Sequence, residues 1–462
     1  MKITLIGGGG VRAPLFVSSA LLRAAKIHLE EVCLMDIQAH KLEIMAAISR
    51  QIGRMLGSRV KITHTTDSVA ALDGASHVVT AIRVGDEMGR VLDEKIALKH
   101  GVLGQETTGP GGFAMAMRSI PVIEHYARLM DNHCPGAWLF NFTNPAGLVT
   151  QALRNQGFER TVGICDSANE AQHQVANWLK IDHRLTRPQV FGLNHLSWVR
   201  NILYNGEELL QPLLQNADFL ASSGLRIFQS ELIHAFNMWL NEYLYYYYYS
   251  EKAIAEILND GKTRGEEVME LNKRLMDQLR DLDIRQNPVR ALAIYQGYNE
   301  RRGATYMHYA RPNALSLQQA DENAEASAPR QFDAAGGEGY AGVALGIIQG
   351  LEGSGPVYTA LNLPNEGAIE CMTAGDVVEV SCMVDRNGIH PLPIGHIPEH
   401  QELLMRSVKY YENLAVQSIL ERSREKAIMA LTVHPLVMSY SRATDLVDEY
   451  LSAHKQFTGE WH

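Results

Sequence analysis

The first 36 residues constrain the fold more than any other stretch. Lys2-Ile3-Thr4-Leu5-Ile6 reads as a buried strand and runs straight into Gly7-Gly8-Gly9-Gly10-Val11-Arg12. From Ala13 to about Arg23 the placement of Leu15, Phe16, Ala20, Leu21 and Leu22 suits a helix. Glu31-Val32-Cys33-Leu34-Met35 is a second strand that ends on Asp36. Strand, glycine turn, helix, strand and terminal acid are the parts of a nucleotide-binding βαβ unit. Glycines let the backbone approach a pyrophosphate, and the helix N-terminus supplies N–H donors and a favourable dipole. Gly7 and Gly9 form a G-x-G, whereas Arg12 stands where the third glycine of the usual fingerprint would be. The candidate cofactor contacts are therefore Gly7, Gly8, Gly9, Gly10, Val11 and Arg12. Asp36 would accept from a ribose hydroxyl, which favours NAD over NADP.

The alternation continues beyond this unit. His77-Val78-Val79-Thr80-Ala81, Trp138-Leu139-Phe140-Asn141 and Thr161-Val162-Gly163-Ile164-Cys165 are short apolar runs set between helical patterns. They imply a parallel sheet with covered faces. Past about residue 196 the rhythm changes to a mostly helical stretch from Glu208 to Leu282. Strand-like residues Val377–Met383 follow, with a turn at Asp385-Arg386-Asn387-Gly388, and then helical periodicity from Glu399 to His454. Gln319–Pro329 is polar and alanine-rich and reads as a surface loop. The fold class is α/β: a Rossmann-like, doubly wound parallel sheet over 1–195, like that of lactate and malate dehydrogenases. An α+β, mostly helical catalytic domain follows over 196–462. A chain of 462 residues is long enough for two such packed domains.

Charge and cysteine usage narrow the function classes. A net charge of −10 argues against nucleic acid as the main partner, because phosphate backbones need a basic surface. A local cationic pocket for one small anion remains compatible with it. Five cysteines without paired spacing fit a reducing compartment better than a disulfide framework. No apolar run reaches the roughly 18 residues needed to cross a membrane. The opening strand lacks the blocks of a signal peptide. A cytoplasmic enzyme is the expectation.

Three further groups of residues could carry chemistry. Cys165-Asp166 ends a strand of the sheet, where ligands bind in open parallel sheets, and His195 follows in Gly192-Leu193-Asn194-His195. Taken alone, the pair reads as a half-buried cysteine and an unrelated histidine. A shared metal is the alternative, and sulfur would then suggest zinc. Gly104-Gln105-Glu106-Thr107-Thr108-Gly109-Pro110-Gly111-Gly112 is too glycine-rich for a helix and too polar for a core strand, so it reads as a loop. In the run Tyr243–Tyr249, helical spacing puts Tyr243, Tyr246 and Tyr247 on one face. A packing stripe explains them unless a nearby dication favours the tyrosinate of a group with pKa near 10.

Together these segments resemble glycoside hydrolase family 4, the NAD- and metal-dependent glycosidases, and within it the 6-phospho-glucosidases. The likeness covers nearly the whole chain. It rests on Ile6-Gly7-Gly8-Gly9, Arg83-Val84-Gly85 with Arg90, and Gly104–Thr107 with Gly109–Gly112. It continues through Asn141-Phe142-Thr143-Asn144-Pro145-Ala146, Cys165-Asp166, Gly192–His195, Asn241–Leu244 and Thr263-Arg264. The resemblance implies that Cys165 and His195 bind Mn²⁺ or another divalent metal and that Asp166 donates a proton. It makes Tyr243 the base and Glu106 the carboxylate that raises the basicity of that tyrosine. It assigns Arg90, Asn144, Asn194 and Arg264 to the substrate, with Arg264 on a sugar 6-phosphate, and Arg83 to the cofactor. The implied route is oxidation of the sugar at C3 by NAD⁺, removal of the C2 proton by Tyr243 and elimination of the aglycone with help from Asp166. Water then adds, and C3 is reduced again. This family is an exception to the two-carboxylate scheme of most glycosidases. The resemblance also implies a phosphorylated disaccharide or aryl glucoside as substrate and a homodimer or homotetramer.

Two departures stand out. Gly10-Val11-Arg12-Ala13 replaces the hydroxyl residues and aromatic that the family has there, and Arg12 adds a cation. Asp166 is typical of 6-phospho-α enzymes, whereas Asn241–Tyr247 and Ala304-Thr305-Tyr306-Met307 look most like 6-phospho-β-glucosidases. The balance leans to β. The alternatives are a 6-phospho-α-glucosidase, a family member acting on unphosphorylated sugar, or, in another class, an NAD-dependent 2-hydroxyacid-type dehydrogenase. A catalytically silent binding protein fits poorly with intact Cys165, Asp166, His195 and Tyr243.

Overall fold

A computed structural model describes residues 1–310 and 339–462. The expected loop Gln319–Pro329 lies outside the described residues. The first helix spans Ala13–Arg23, between strand β1 (Lys2–Ile6) and strand β2 (Glu31–Met35). The next strands are β3 (Lys61–Thr65), β4 (His77–Thr80), β5 (Trp138–Asn141) and β6 (Thr161–Gly163). These six run parallel in the order β3-β2-β1-β4-β5-β6. The order reverses between β1 and β4, so the carboxyl ends of those strands form the crevice where open α/β sheets bind ligands. β4 and β5 are buried through most or all of their length, as strands covered on both faces must be.

The later residues divide between two sheets. β7 (Thr186–Leu193) and β8 (Leu196–Tyr204) form an antiparallel hairpin. To it are added β9 (Glu207–Glu208) and β10 (Trp239–Leu240). β11 (Val357–Pro364), β12 (Val377–Asp385) and β13 (Gly388–Pro391) instead extend the parallel sheet, antiparallel to β6 and to each other. The large sheet thus has nine strands, three of them from the second half of the chain. The expected division at 195/196 falls in the turn of the β7–β8 hairpin. That hairpin is docked on β12, where Ser381 Oγ accepts from the Val190 N–H at 2.8 Å and donates to the Pro188 carbonyl at 2.7 Å.

Two departures from the sequence expectations matter for the site. The glycine-rich stretch 104–112 is a loop only to Thr108, and Gly109 begins a long helix, Gly109–His133. Proline is accepted in a first turn, and the absence of a side chain lets the turn lie against the loop: a Cβ on Gly111 would stand 2.2 Å from the Gln105 carbonyl. The tyrosine run does not share one face. Tyr243 lies in a 3₁₀ turn, Glu242–Leu244, before the short helix Tyr245–Tyr248. Tyr243 meets Tyr246 edge-on at 5.8 Å, whereas Tyr247 turns toward His434.

A second apolar core ties the halves together. Ile44, Met45, Ile48 and Ile52 pack with Leu271, Leu275 and Met276 of the helix Arg264–Arg280 and with Tyr295 and Tyr298 of the helix Pro288–Ala304. Tyr295 also donates its hydroxyl to the Val11 carbonyl at 2.7 Å. The helix Pro288–Ala304, part of this core, is thereby fixed against the glycine turn.

Candidate active site

One cavity of about 1570 Å³ runs from the carboxyl ends of the parallel strands into the second half of the chain. At one end lies the glycine turn. Gly7 has φ +99°, and a Cβ there would be 2.5 Å from the Ala81 carbonyl that follows β4, so only glycine fits. Asp36, at the end of β2, accepts from the Gly9 N–H at 3.0 Å and the Gln38 N–H at 2.9 Å. Its carboxylate holds the turn and still lines the cavity. Burial raises its pKa, and the two N–H groups oppose that rise. Gly7, Gly9, Gly10, Val11, Arg12, Asp36 and Arg83 line this part of the cavity. Gly8 does not; it lies against Leu34 instead. Backbone donors, a helix N-terminus and a carboxylate at ribose distance along the chain can hold a dinucleotide.

Cys165 and His195 come from different sheets and meet. Cys165 follows β6. His195 sits in the turn between β7 and β8 with φ +63°, an uncommon conformation for a non-glycine residue. The Sγ and Nε2 atoms are 3.3 Å apart, and both residues are buried. Thr107 fixes the imidazole: its hydroxyl donates to Gln105 Oε1 at 2.9 Å and lies 2.6 Å from His195 Nδ1. That hydroxyl therefore accepts from Nδ1–H, which leaves the Nε2 lone pair facing the sulfur. Burial holds the imidazole neutral, with its pKa at about 3, and pushes the Cys165 thiol up. A neutral imidazole and a soft sulfur aimed at one point suit a divalent cation. Among the described residues no third His, Cys, Asp or Glu joins them. A metal held by this pair would keep positions open for ligand oxygens.

Tyr243 stacks on His195, with ring centroids 3.7 Å apart and planes 1° from parallel. The Tyr306 hydroxyl is 2.8 Å from Glu242 Oε1 and 3.1 Å from the Tyr243 hydroxyl. It is placed to donate to both, and its one proton is shared between the Glu242 carboxylate and the Tyr243 oxygen. Burial, then Glu242, raise the pKa of Tyr243 well above 10. The carboxylate linked to this tyrosine is thus Glu242, through Tyr306. Glu106 has other partners: Arg83 at 2.8 Å and Arg90 at 2.7 Å. Despite its burial, these cations hold its pKa down to about 2. Two guanidiniums outcompete a phenol for one carboxylate because charge-assisted hydrogen bonds are the stronger kind.

The remaining candidates divide. Asp166 and Asn144 line the cavity, as does Arg90, which also pairs with Glu94 at 2.7 Å. Asn194 turns away, donating its amide to the buried carboxylate of Glu379 at 3.2 Å. Glu379 also accepts from Ser197 at 2.8 Å and Asn362 at 3.0 Å. Arg264 reaches the cavity wall, but its Nη1 and Nη2 donate within the protein to Glu267, Thr305 and the Arg302 carbonyl. Nothing in their spacing marks Thr107, Glu242, Tyr306 or Arg302 for a role. The first three lie inside the motifs that carry the family resemblance, which is the one signal for them. Arg302 ends the run Glu300-Arg301-Arg302, and a cation in a last helical turn is ordinary.

Fold and site together define a Rossmann-type enzyme whose dinucleotide cradle opens into a cavity with a metal-capable thiol–imidazole pair. The chain belongs to family 4 of the glycosyl hydrolases. The model of family 4 glycosyl hydrolases matches residues 2–181, and that of the family 4 glycosyl hydrolase C-terminal domain matches 190–437. The 6-phospho-beta-glucosidase of Escherichia coli is 29% identical over 99% of this chain and 96% of its own. A phospho-alpha-glucosidase of Clostridium acetobutylicum is 27% identical over 100% of this chain and 99% of its own. A solved structure of the Thermotoga maritima 6-phospho-beta-glucosidase with manganese, NAD⁺ and glucose-6-phosphate superposes with a TM-score of 0.81. It is 26% identical and covers 99% of each chain.

Proposed function

We propose that this protein is a 6-phospho-glucosidase that favours β-linked substrates and works with NAD and a divalent metal, manganese foremost. The observation that carries this is a single cavity with the glycine turn at one end and the Cys165–His195–Tyr243 cluster at the other. Bound NAD would supply a reversible hydride acceptor at C3 of the sugar, and a divalent metal on Cys165 and His195 a Lewis acid for the neighbouring oxygens. The residues supply the rest. Tyr243 takes the C2 proton, and Tyr306 and Glu242 govern where its own proton sits. Asp166 delivers a proton to the departing oxygen. Arg90 and Asn144 orient the sugar. Glu106 fixes Arg83 and Arg90 as a rigid pair beside it. Asn194 acts from behind the cavity through Glu379, holding the turn that carries His195.

The preference for β follows the Escherichia coli and Thermotoga maritima relatives, although the α enzyme of Clostridium acetobutylicum is nearly as similar. Elimination through a planar C1–C2 centre lets one site accept either anomer. All five cysteines are free, and no described helix is long and apolar enough to cross a membrane. The free thiols fit a reducing cytoplasm, where we further propose that the enzyme assembles as a dimer or tetramer. The test is a panel of α- and β-linked aryl glucosides, with and without a 6-phosphate, assayed with NAD⁺ and Mn²⁺. Turnover of the 6-phospho-β compound without net NADH is the expected result. Net NADH accumulation would identify a dehydrogenase, and activity unaffected by removing both cofactors would overturn the proposal.

A further inference from the structure

Four guanidiniums crowd the cavity wall beside Glu106. Burial penalises that carboxylate, while Arg83, Arg90, Arg302 and Arg12 all act on it to keep it charged. Arg83 and Arg90 have carboxylate partners in direct contact. Arg302 and Arg12 have none within 4 Å among the described residues. Arg302 donates one Nη1 bond, to the Tyr298 hydroxyl at 2.9 Å. Arg12 lies over the Phe142 ring, with its Cζ 5.5 Å from the centroid. Arg83 leaves its buried Nη1 without a partner. Burial, with Arg12, Arg264 and Arg83 nearby, pushes Arg302 down to about 10. Desolvated like charges repel unless an anion joins them.

Arg264, the residue that resemblance assigns to a sugar phosphate, is bound otherwise. Its Nη1 donates to Thr305 Oγ1 at 2.7 Å and Glu267 Oε2 at 3.0 Å, and its Nη2 to the Arg302 carbonyl at 2.9 Å. These bonds join the start of the helix Arg264–Arg280 to the end of the helix Pro288–Ala304. They also hold the backbone of Arg302 in place.

We propose that Arg302, with Arg12 beside it, is the pair that recognises the 6-phosphate of the sugar, and that Arg264 is their scaffold. This rests on the phospho-glucosidase reading above. A phosphate monoester carries close to two negative charges and three acceptor oxygens, which suits two planar guanidiniums with open donors. The other source of such an anion is the cofactor pyrophosphate at the glycine turn. The sugar is favoured because Arg12 lies over Phe142, two residues before Asn144, rather than against Asp36, whose carboxylate is taken by the Gly9 and Gln38 N–H groups.

The test compares Arg302→Met, Arg302→Lys and Arg12→Met with the unaltered enzyme. It uses p-nitrophenyl β-glucoside 6-phosphate and its unphosphorylated counterpart, with NAD affinity measured separately by fluorescence. Arg302→Met should lower kcat/KM for the phosphorylated substrate about 100-fold, mostly through KM, because a hydrogen-bonded charge is lost. Arg302→Lys should recover part of it, and NAD affinity should hold. Arg12→Met should show a smaller loss of the same kind. Retention of the wild-type preference for the phosphorylated substrate in both Met variants would overturn the proposal. So would a loss confined to NAD affinity, which would assign the pair to the pyrophosphate. An unaltered enzyme with no preference for the phosphate would instead defeat the substrate reading itself.

Discussion

The two ends of the cavity are built by different means. The cradle end is backbone: a turn after β1, the N-terminus of the first helix, and one carboxylate, Asp36, bonded to that turn. Its parts lie within 36 residues and are held by strand pairing. The proposed sugar end is side chain: Cys165, His195, Tyr243 and Tyr306 come from separate elements and are held by one another, while Glu106 is held by Arg83 and Arg90 and Arg302 by Tyr298. A backbone site tolerates side-chain change except where a Cβ cannot fit. A side-chain site fails when any partner is removed, because each leaves a buried polar group unpaired.

Tyr243→Phe tests that contrast most severely. The ring stacked on His195 is kept and the proposed base is lost, so kcat should fall about 10⁴-fold, about 5 kcal/mol of barrier. NAD affinity by fluorescence titration should not move. Equal loss of both would mean that the two ends do not act separately.

Gly7→Ala attacks the cradle where side-chain change is not tolerated. A left-handed φ and a 2.5 Å approach to the Ala81 carbonyl should together cost about 4 kcal/mol in denaturant unfolding, and NAD binding should weaken in parallel.

Glu379 probes the buried layer beneath the sugar end. Burial pushes its pKa up to about 7, opposed by Ser197, Asn194 and Asn362, with Glu412 adding repulsion. The folded state therefore keeps a proton that the unfolded chain releases near 4.5. The contribution of this group to stability is present below pH 4.5 and is lost as pH rises to 7, about 3 kcal/mol in all. In Glu379→Gln the difference from wild type should vary across that window and be flat above it. A constant difference from pH 4.5 to 7 would refute the raised pKa.

Tyr295→Phe should have the smallest effect. It removes the bond to the Val11 carbonyl that joins the halves, for about 1 kcal/mol of stability. A similarly slight weakening of NAD binding is expected. A larger loss of turnover than of NAD affinity would mean that the second core serves Arg302 more than the cradle.

Much of the cradle was legible in the sequence because its parts are local. The helix Ala13–Arg23 and the strands ending at Ile6 and Met35 follow from periodicity and from the glycine run between them. The hairpin β7–β8 was not foreseen, since Thr186–Leu193 gives no turn signal beyond Asn194-His195. Nor was the return of β11–β13 to the first sheet, which depends on pairing between residues some 200 apart in the chain. The tyrosine run misled because a 3₁₀ turn, capped by Asn241, rotates Tyr243 out of helical register with Tyr247.

The sequence by itself determined that a dinucleotide-type βαβ unit opens the chain, and its ordered motifs identified the family. The partnership of the acids and arginines was decided only by the tertiary structure. Glu106 pairs with Arg83 and Arg90, Glu242 reaches Tyr243 through Tyr306, and Arg264 is used internally while Arg302 is left open. The physical reason is that a buried charge takes whichever partner desolvation and geometry make strongest. That choice depends on distances between elements, which spacing along a chain does not encode.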